Sequence, residues 1–258
     1  MAMVRWRLIT DPPLKGAENM ATDEAVLRVA DSNPGTTPTL RVYGWSEPTV
    51  SIGYLQNAAP FIPCGLPVVR RVTGGRAVLH DIELTYSIVA SCTDAPFSGG
   101  ITAAYSFISR CIIEALKEAG VEADFSRGTA GSGGKEACFH TPSRYEVLVD
   151  GRKIVGSSQR RFKNSFLQHG SILLKVDKSM NSLVFGDALT GKMASVSEFS
   201  SIGEAGFRDS FIRAMSRGLK ASFEVSALSD EENALKEELK RTKYETDEWN
   251  LGGPVERG

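Results

Sequence analysis

The sequence has no apolar run that approaches the roughly 20 residues needed to span a bilayer. Its start, MAMVRWRLITDPP, includes only a short apolar stretch and lacks the long hydrophobic region and small-residue cleavage site of a secretory signal. We therefore predict a cytoplasmic protein with no membrane partner. In that reducing compartment the four cysteines are expected to be free thiols.

A charge excess of either sign is also missing. The 30 Lys and Arg residues are balanced by 31 Asp and Glu residues, which leaves a formal net charge of -1. No global electrostatic field therefore favours nucleic acid as a partner. Cys64, Cys92, Cys111 and Cys138 form no CxxC pair, and with three histidines no zinc-like ligand spacing is present. We expect no metal site.

The patterns that are present predict an α+β chain. Short runs rich in β-branched and aromatic residues, broken by Gly, Pro and Ser, predict strands, and apolar residues at helical spacing predict helices. The predicted strands are 39–45, 49–54, 68–72, 76–81, 84–91, 145–149, 152–162 and 166–176. The predicted helices are 17–31, 101–118, 207–223 and 229–244. Because no linker or repeat divides the chain, we predict one domain over residues 1–258.

One cysteine differs from the others in its surroundings. Cys138 follows SRGTAGSGGKEA (126–137), whose four glycines favour a loop. A thiolate delivered by a loop can act as a nucleophile, although a free cysteine is more often an inert small hydrophobe. Cys111 fits the inert description, because it lies in a predicted helix beside an apolar stripe. For Cys138 the pattern leaves both interpretations open.

Lys153 follows Asp150-Gly151, a strong hairpin signal between two predicted strands. A solvated hairpin lysine is the ordinary interpretation of such a position. Nothing in the spacing alone brings Lys153 to Cys138.

Two further groups of residues can form a binding groove. RRVTGGRAVLHD (70–81) surrounds paired glycines with arginines, and backbone amides beside arginines can hold a carboxylate or phosphate. Small residues also interrupt two neighbouring predicted strands, which often marks the close approach of a backbone or ligand. The candidate binding residues are Arg71, Gly74, Gly75, Arg76, His80, Gly156, Ser157, Gln159, His169 and Gly170. The alternatives are a hairpin turn with a basic rim, a structural histidine and edge-strand irregularity.

The motifs MATDEAVL, RRVTGGRAVLHDIELTYSI, DGRKIVGSSQRR and QHGSILL follow one another over nearly the whole chain. This series resembles the lipoate and octanoate transferase/ligase superfamily, which shares its catalytic fold with biotin protein ligases. The resemblance implies a biotin/lipoyl protein ligase-like catalytic domain with mixed and antiparallel sheets flanked by helices.

Three features are most similar to the cysteine-dependent octanoyltransferases that load the glycine-cleavage H protein. They are ACFHTPSRYE (137–146), Arg76 where ATP-dependent ligases usually have a third glycine, and TKYETDEWN (242–250). One departure is Ser158, where alanine is usual, and we expect it to be harmless because both residues are small.

The resemblance implies an octanoyl-[acyl carrier protein]:protein N-octanoyltransferase of lipoate biosynthesis. Cys138 would carry the acyl group as a thioester, and Lys153 would assist it. The donor would be octanoyl-acyl carrier protein, and the acceptor a lysine of a lipoyl-domain protein such as the H protein. No cofactor is expected, because a thioester donor needs no ATP.

Two expectations extend this interpretation. Lys153 should lie near Cys138 and favour its thiolate. Arg70, Arg71, Arg160 and Arg161 should form a docking face for acidic carrier proteins. The alternatives are an ATP-dependent lipoate-protein ligase in which Cys138 is incidental, an amidotransferase that moves octanoate between lipoyl domains, and a non-catalytic acyl- or carrier-binding relative.

Overall fold

The computed structural model describes residues 3–126, 146–189 and 191–254. Within these ranges the strands are β1 (Val4–Thr10), β2 (Thr39–Tyr43), β3 (Thr49–Ile52), β4 (Val68–Arg70), β5 (Val78–His80), β6 (Glu83–Ser91), β7 (Asp124–Phe125), β8 (Val147–Val149), β9 (Arg152–Lys153), β10 (Val155–Arg161), β11 (Ser165–Leu173) and β12 (Ala221–Val225). The α-helices are α1 (Gly16–Ser32), α2 (Gly100–Glu118), α3 (Lys178–Phe185), α4 (Glu204–Leu219) and α5 (Asp230–Leu239). No helix in the described ranges combines the length and hydropathy that a membrane span requires.

The main sheet has six strands in the order β10-β11-β6-β2-β1-β12. Its first four strands pair antiparallel, and β1 pairs parallel with both β2 and β12. Two small sheets, β4-β3-β5 and β7-β8-β9, accompany it. The structure therefore confirms the predicted α+β class with mixed and antiparallel sheets flanked by helices.

Strand β6 shows why the polar groups of this fold are buried. Leu84, Tyr86 and Ile88 alternate toward a core shared with α2 and α4. Thr85 and Ser87 point to the opposite face, which an antiparallel sheet commonly exposes to water. Here helix α1 packs against that face, and both residues are buried. Because buried polar groups need hydrogen-bond partners, this face requires an internal network.

The chain departs from the predicted pattern at both ends. The predicted helix 207–223 stops at Leu219, because Lys220 takes a left-handed conformation with φ of 52°. The following residues form β12 and pair parallel with β1, with Val4 opposite Ala221. Neither β1 nor the edge strand β12 was predicted from the sequence pattern.

The hairpin at Asp150-Gly151 is confirmed, with positive φ values of 49° and 73°. The predicted strand 152–162 is divided between two sheets: β9 pairs with β8, whereas β10 pairs with β11. Ser229 and Glu232 form a capping box at the start of the predicted helix 229–244. The helix that it starts ends at Leu239 and continues as the π-helical segment Lys240–Tyr244.

Candidate active site

A cavity lies between the α1-facing side of the main sheet and the β4-β3-β5 sheet. The space between its lining residues, with the adjoining open solvent included, is about 400 Å³. Seven of the ten predicted binding residues line it: Arg71, Gly75, His80, Gly156, Ser157, His169 and Gly170. The remaining lining residues are Met20, Tyr43, Trp45, Ser51, Val78, Thr85, Ser158 and Ser171. The structure therefore brings the two predicted groups of residues to one cavity.

Asp23 of α1 fixes the tautomer of His169. Its carboxylate accepts hydrogen bonds from Arg41 (2.8 Å), Ser87 (2.8 Å), Tyr43 (2.9 Å) and His169 Nδ1 (2.9 Å). Burial alone would raise the pKa of Asp23, but the bond from His169 and the charge of Arg41 outweigh it and lower that pKa. Burial lowers the pKa of His169 despite the adjacent carboxylate. The ring is therefore neutral, with its proton on Nδ1.

The second ring nitrogen of His169 extends this chain to the cavity wall. A neutral ring protonated at Nδ1 leaves Nε2 as an acceptor, so Thr73 Oγ1 donates to it over 2.7 Å. Ser158 Oγ lies 2.8 Å from Thr73 Oγ1. Because the Thr73 proton is already engaged, Ser158 is the donor in that second bond. The hydroxyl of Ser158 thus points away from the cavity interior.

Glu83 fixes the orientation of His80, as Asp23 does for His169. Its Oε1 lies 2.7 Å from His80 Nδ1, and its Oε2 accepts from Ser171 over 2.6 Å. His80 Nε2 lies 2.5 Å from Ser51 Oγ, and the ring stacks on Trp45 with centroids 3.8 Å apart. Both ring nitrogens of His80 are engaged within the protein, which agrees with the structural alternative for this residue.

This bonding pattern decides what the cavity can accommodate. Every polar side chain of the lining makes at least one hydrogen bond within the protein, including those that join Trp45 to Thr85 and Ser157 to Tyr86. One lining atom, Arg71 Nε, is buried and makes no hydrogen bond to the described residues, although Arg71 Nη1 and Nη2 do. An apolar ligand can therefore displace water without breaking any of these bonds. Burial of each CH₂ group would contribute about 0.8 kcal/mol. The cavity thus suits an aliphatic chain.

Two glycines allow close backbone contacts at this cavity. A Cβ atom on Gly170 would lie 2.5 Å from Ser157 Oγ and 2.8 Å from the Gly156 carbonyl oxygen. A Cβ on Gly53 would lie 2.0 Å from the Gly75 carbonyl oxygen. The first contact confirms that the small residues of β10 and β11 face each other, since Ser157 pairs with Gly170.

Three predicted binding residues lie outside the cavity lining. Gly74 and Arg76 line an adjoining surface groove, to which Gly75 also contributes. Gln159 donates to Gln168 over 2.9 Å and accepts from Arg161 over 3.0 Å. The binding roles of all ten residues stay predictions.

The expected docking face is wrong for Arg70 and Arg71, which are only 2% and 5% exposed. Their guanidinium groups satisfy backbone carbonyls beneath the surface. The carbonyls that Arg70 contacts belong to Gly53, Tyr54, Gln56, Trp249 and Asn250. Arg71 donates to Ser51 and to the carbonyls of Gly74 and Arg76. Both arginines therefore hold loops in place.

Lys153 is buried, which excludes the solvated hairpin alternative. Its Nζ donates to Glu146 Oε1 over 2.8 Å, and the two side chains are 4% and 7% exposed. The backbone of Lys153 is held by Lys192 and Ala194. Cys138 lies outside the described residues, so its predicted approach to Lys153 stays a prediction.

The described cysteines are poor candidates for a nucleophile. Burial raises the pKa of Cys111 to about 12, which agrees with its prediction as an inert core thiol. Burial also raises the pKa of Cys92, although Arg161 lies beside it and opposes that effect. Arg161 reaches Cys92 from another strand and is not its neighbour in sequence. Cys64 donates its thiol proton to the Phe61 carbonyl.

Sequence analysis missed five polar residues of this region: Asp23, Ser51, Thr73, Glu83 and Glu146. Each is buried and acts through a partner from another element or across a turn. The carboxylates of Asp23 and Glu83 are the clearest, because they fix two histidines. A carboxylate on the inner face of a predicted helix or strand is the signal that could have revealed them.

Comparison with known proteins places the chain among lipoylation enzymes. The family described as "Lipoyl protein ligase A/B catalytic domain" matches residues 15–226. Octanoyltransferase LipM of Carboxydothermus hydrogenoformans is 41% identical over 96% of this chain and 98% of its own. Octanoyltransferase LipM of Brevibacillus brevis is 40% identical over 96% and 99%.

A solved structure of a lipoylation enzyme also has a fold similar to that of this chain. It is described as a bi-partite lipoate protein ligase and its E2 lipoyl domain from Thermoplasma acidophilum. Its fold matches this chain with a TM-score of 0.82 and 26% identity over 98% of both chains. The chain belongs to the lipoyl protein ligase A/B catalytic domain family.

Proposed function

We propose that this protein is an octanoyltransferase of lipoate biosynthesis, which moves an octanoyl group from octanoyl-acyl carrier protein to a lysine of a lipoyl-domain protein. The observation that supports the proposal is the cavity whose polar side chains are all bonded within the protein, since an aliphatic chain can occupy it without breaking those bonds. The two relatives named octanoyltransferase, which match nearly the whole chain, support the same activity. The H protein is the proposed acceptor among lipoyl-domain proteins.

The transfer would proceed in two steps. The thiolate of Cys138 attacks the thioester carbonyl of the donor, forms a new C–S bond and releases the carrier thiolate, which takes up a proton. The acceptor amine then attacks the Cys138 thioester, a C–N bond forms, and the C–S bond breaks. A thioester exchange followed by amide formation needs no ATP.

Lys153 would assist both steps by supplying positive charge near the thiolate and by helping to move the proton that the amine must lose. Its contact with Glu146 supports this role indirectly. Glu146 lies only eight residues along the chain from Cys138, and it contacts the Lys153 ammonium directly. The catalytic roles of Cys138 and Lys153 are proposals.

We also propose that residues 1–258 form one catalytic domain in the cytoplasm. The segment beyond the family match supports the first part of this proposal. Trp249 and Asn250 bond to both the backbone and the side chain of Arg70, so the C-terminal segment is tied to the loops beside the cavity.

The experiment that tests the proposed function is incubation with octanoyl-acyl carrier protein in the absence of ATP. We expect one hydroxylamine-sensitive octanoyl group on the peptide that contains Cys138, followed by transfer to the H protein. Cys138→Ala should abolish the adduct, and Cys111→Ala is the matched control that should retain it. An adduct that persists in Cys138→Ala would contradict the proposed nucleophile.

An ATP-dependent lipoate-protein ligase is the second candidate, favoured by the likeness to the solved ligase. Activity with free octanoate or lipoate and ATP-Mg that survives Cys138→Ala would decide for it. The amidotransferase alternative is tested by supplying octanoylated H protein as the sole donor.

A further inference from the structure

A surface groove adjoins the cavity at Gly75, which lines both. The groove, here called the arginine groove, has about 750 Å³ of space that is partly open to solvent. It is lined by Tyr54, Leu55, Gln56, Gly74, Gly75, Arg76 and Arg160. These seven residues include two guanidinium groups and no carboxylate, so the lining favours an anion.

Strand geometry places only one of the two neighbouring arginines in this groove. Side chains two residues apart on a strand share a face, so Arg160 lies on the side of Ser158, a cavity residue. The Arg160 guanidinium lies 4.8 Å from the centroid of the Tyr54 ring. Arg161 points to the other face, where it donates to the Phe97 carbonyl over 3.1 Å. The expected docking role therefore fits Arg160 and does not fit Arg161.

The opposite wall of the arginine groove is held in place from below. Arg70 Nη1 donates to the carbonyls of Gly53 (3.1 Å), Tyr54 (3.0 Å) and Gln56 (2.6 Å). The close approach of Gly53 to Gly75 fixes this wall against the glycine turn. A groove fixed in this way loses little conformational freedom when a ligand binds.

We propose that the arginine groove binds the phosphodiester of the acyl carrier protein's phosphopantetheine arm, with Arg76 and Arg160 as its ligands. This inference rests on the proposed function and adds the part of the donor that is recognised. Arginine pairs suit a phosphate because the guanidinium is a planar, permanently charged donor. The arm would pass Gly75 and deliver its acyl thioester to the cavity.

The charge of the groove favours the donor over the acceptor. The acceptor presents a lysine, a cation that two arginines repel, whereas the donor arm carries an anionic phosphodiester. Leu55, which is 79% exposed at the rim, provides an apolar contact for the carrier protein itself. Both features match a carrier protein with an anionic arm.

The test compares three octanoyl thioesters: those of intact acyl carrier protein, of 4′-phosphopantetheine and of pantetheine, which lacks the phosphate. The measured quantity is the preference for a phosphate-bearing donor. It is expressed as the KM of the pantetheine thioester divided by the KM of the 4′-phosphopantetheine thioester. Loss of one charge-assisted contact should reduce that preference roughly tenfold in Arg160→Gln and in Arg76→Gln. Arg161→Gln, which makes the same change on the opposite face, should keep the wild-type preference.

Three results would overturn the inference. A wild-type enzyme with equal KM for the second and third donors would do so while leaving the proposed function intact. If Arg160→Gln changed KM only for intact acyl carrier protein, the arginine groove would recognise the surface of the carrier protein and not the phosphate. A wild-type enzyme that transfers from none of the three donors would refute the proposed function and the inference with it.

Discussion

The buried ion pair between Lys153 and Glu146 allows the structural and chemical roles of Lys153 to be separated. Three variants are needed: Lys153→Met, Glu146→Met and the double variant. Methionine has a volume similar to both side chains and carries no charge. The 2.8 Å contact and the low exposure of both groups place the pair in the interior, so each single variant leaves one charge buried without this partner.

Removal of one partner from a buried pair typically costs about 3–5 kcal/mol of unfolding free energy. Removal of both is often neutral or stabilising, because the desolvation penalty of both charges disappears. Val147, Val149 and Ile154, which are close to the pair in sequence, are buried and apolar, so the substitutions fall in an apolar part of the chain. We therefore expect the double variant to be more stable than either single variant, with a coupling energy of roughly 3 kcal/mol.

The assay is urea unfolding of the four proteins, followed by the octanoyl transfer rate of those that fold. The double variant should be folded and should lose most of its transfer activity. Exposed pairs contribute less than about 1 kcal/mol. The buried-pair reasoning would therefore be refuted if each single variant lost less than that in unfolding free energy and the double variant lost only the sum of the two. Wild-type transfer by the folded double variant would instead remove Lys153 from the mechanism and leave the stability argument intact.

Three further predictions follow from close contacts and from burial. Gly218→Ala would place a Cβ 2.3 Å from Cys111 Sγ, so it should lower the unfolding free energy by about 1–3 kcal/mol, measured by thermal unfolding. The loss should be smaller in a Cys111→Ala background, and an equal loss in both backgrounds would contradict this contact. Gly53→Ala would displace the Gly75 carbonyl and should lower kcat/KM roughly tenfold or more, and an unchanged value would show that the glycine turn need not be held there. Because burial lowers the pKa of His169 from 6.5, the unfolded chain binds more protons below that pH, so stability is lost as pH falls from about 6.5 through the folded-state pKa. Urea unfolding of the wild-type protein should show that the unfolding free energy falls by up to about 1.4 kcal/mol between about pH 7.5 and 5.5, and His169→Gln should lack this loss. The same pH dependence in both proteins would show that His169 does not cause it.

The sequence was most informative where local chemistry determines structure. The Asp150-Gly151 turn was predictable because few residue pairs adopt two positive φ values. The capping box at Ser229 was predictable for a similar reason, since its two hydrogen bonds involve residues three positions apart. Strand β12 was missed because its partner β1 lies more than 200 residues earlier in sequence. Strand β1 was missed because it pairs in parallel with β2 and β12, so no hairpin turn marks it.

The candidate site shows the same division. Glycines that permit close backbone contacts were found from sequence, because a glycine inside a strand is unusual. The carboxylates that fix His80 and His169 were not found, since Asp23 reaches His169 from a helix 146 residues earlier. Arg70 and Arg71 show the reverse error: the charge pattern suggested a surface, but both guanidinium groups donate to backbone carbonyls inside the protein.

The covered face of the main sheet explains why one site can combine polar residues with an apolar ligand. Helix α1 closes over Thr85 and Ser87, and a buried face of this kind must pair every polar group internally. Once these groups are paired, they offer little to distinguish one aliphatic chain from another. Selectivity for chain length must then depend on the shape and depth of the cavity, where each additional CH₂ is worth about 0.8 kcal/mol, or roughly fourfold in affinity. Recognition of the donor must come mainly from charged groups at the cavity mouth, because every polar side chain of the lining is already bonded within the protein.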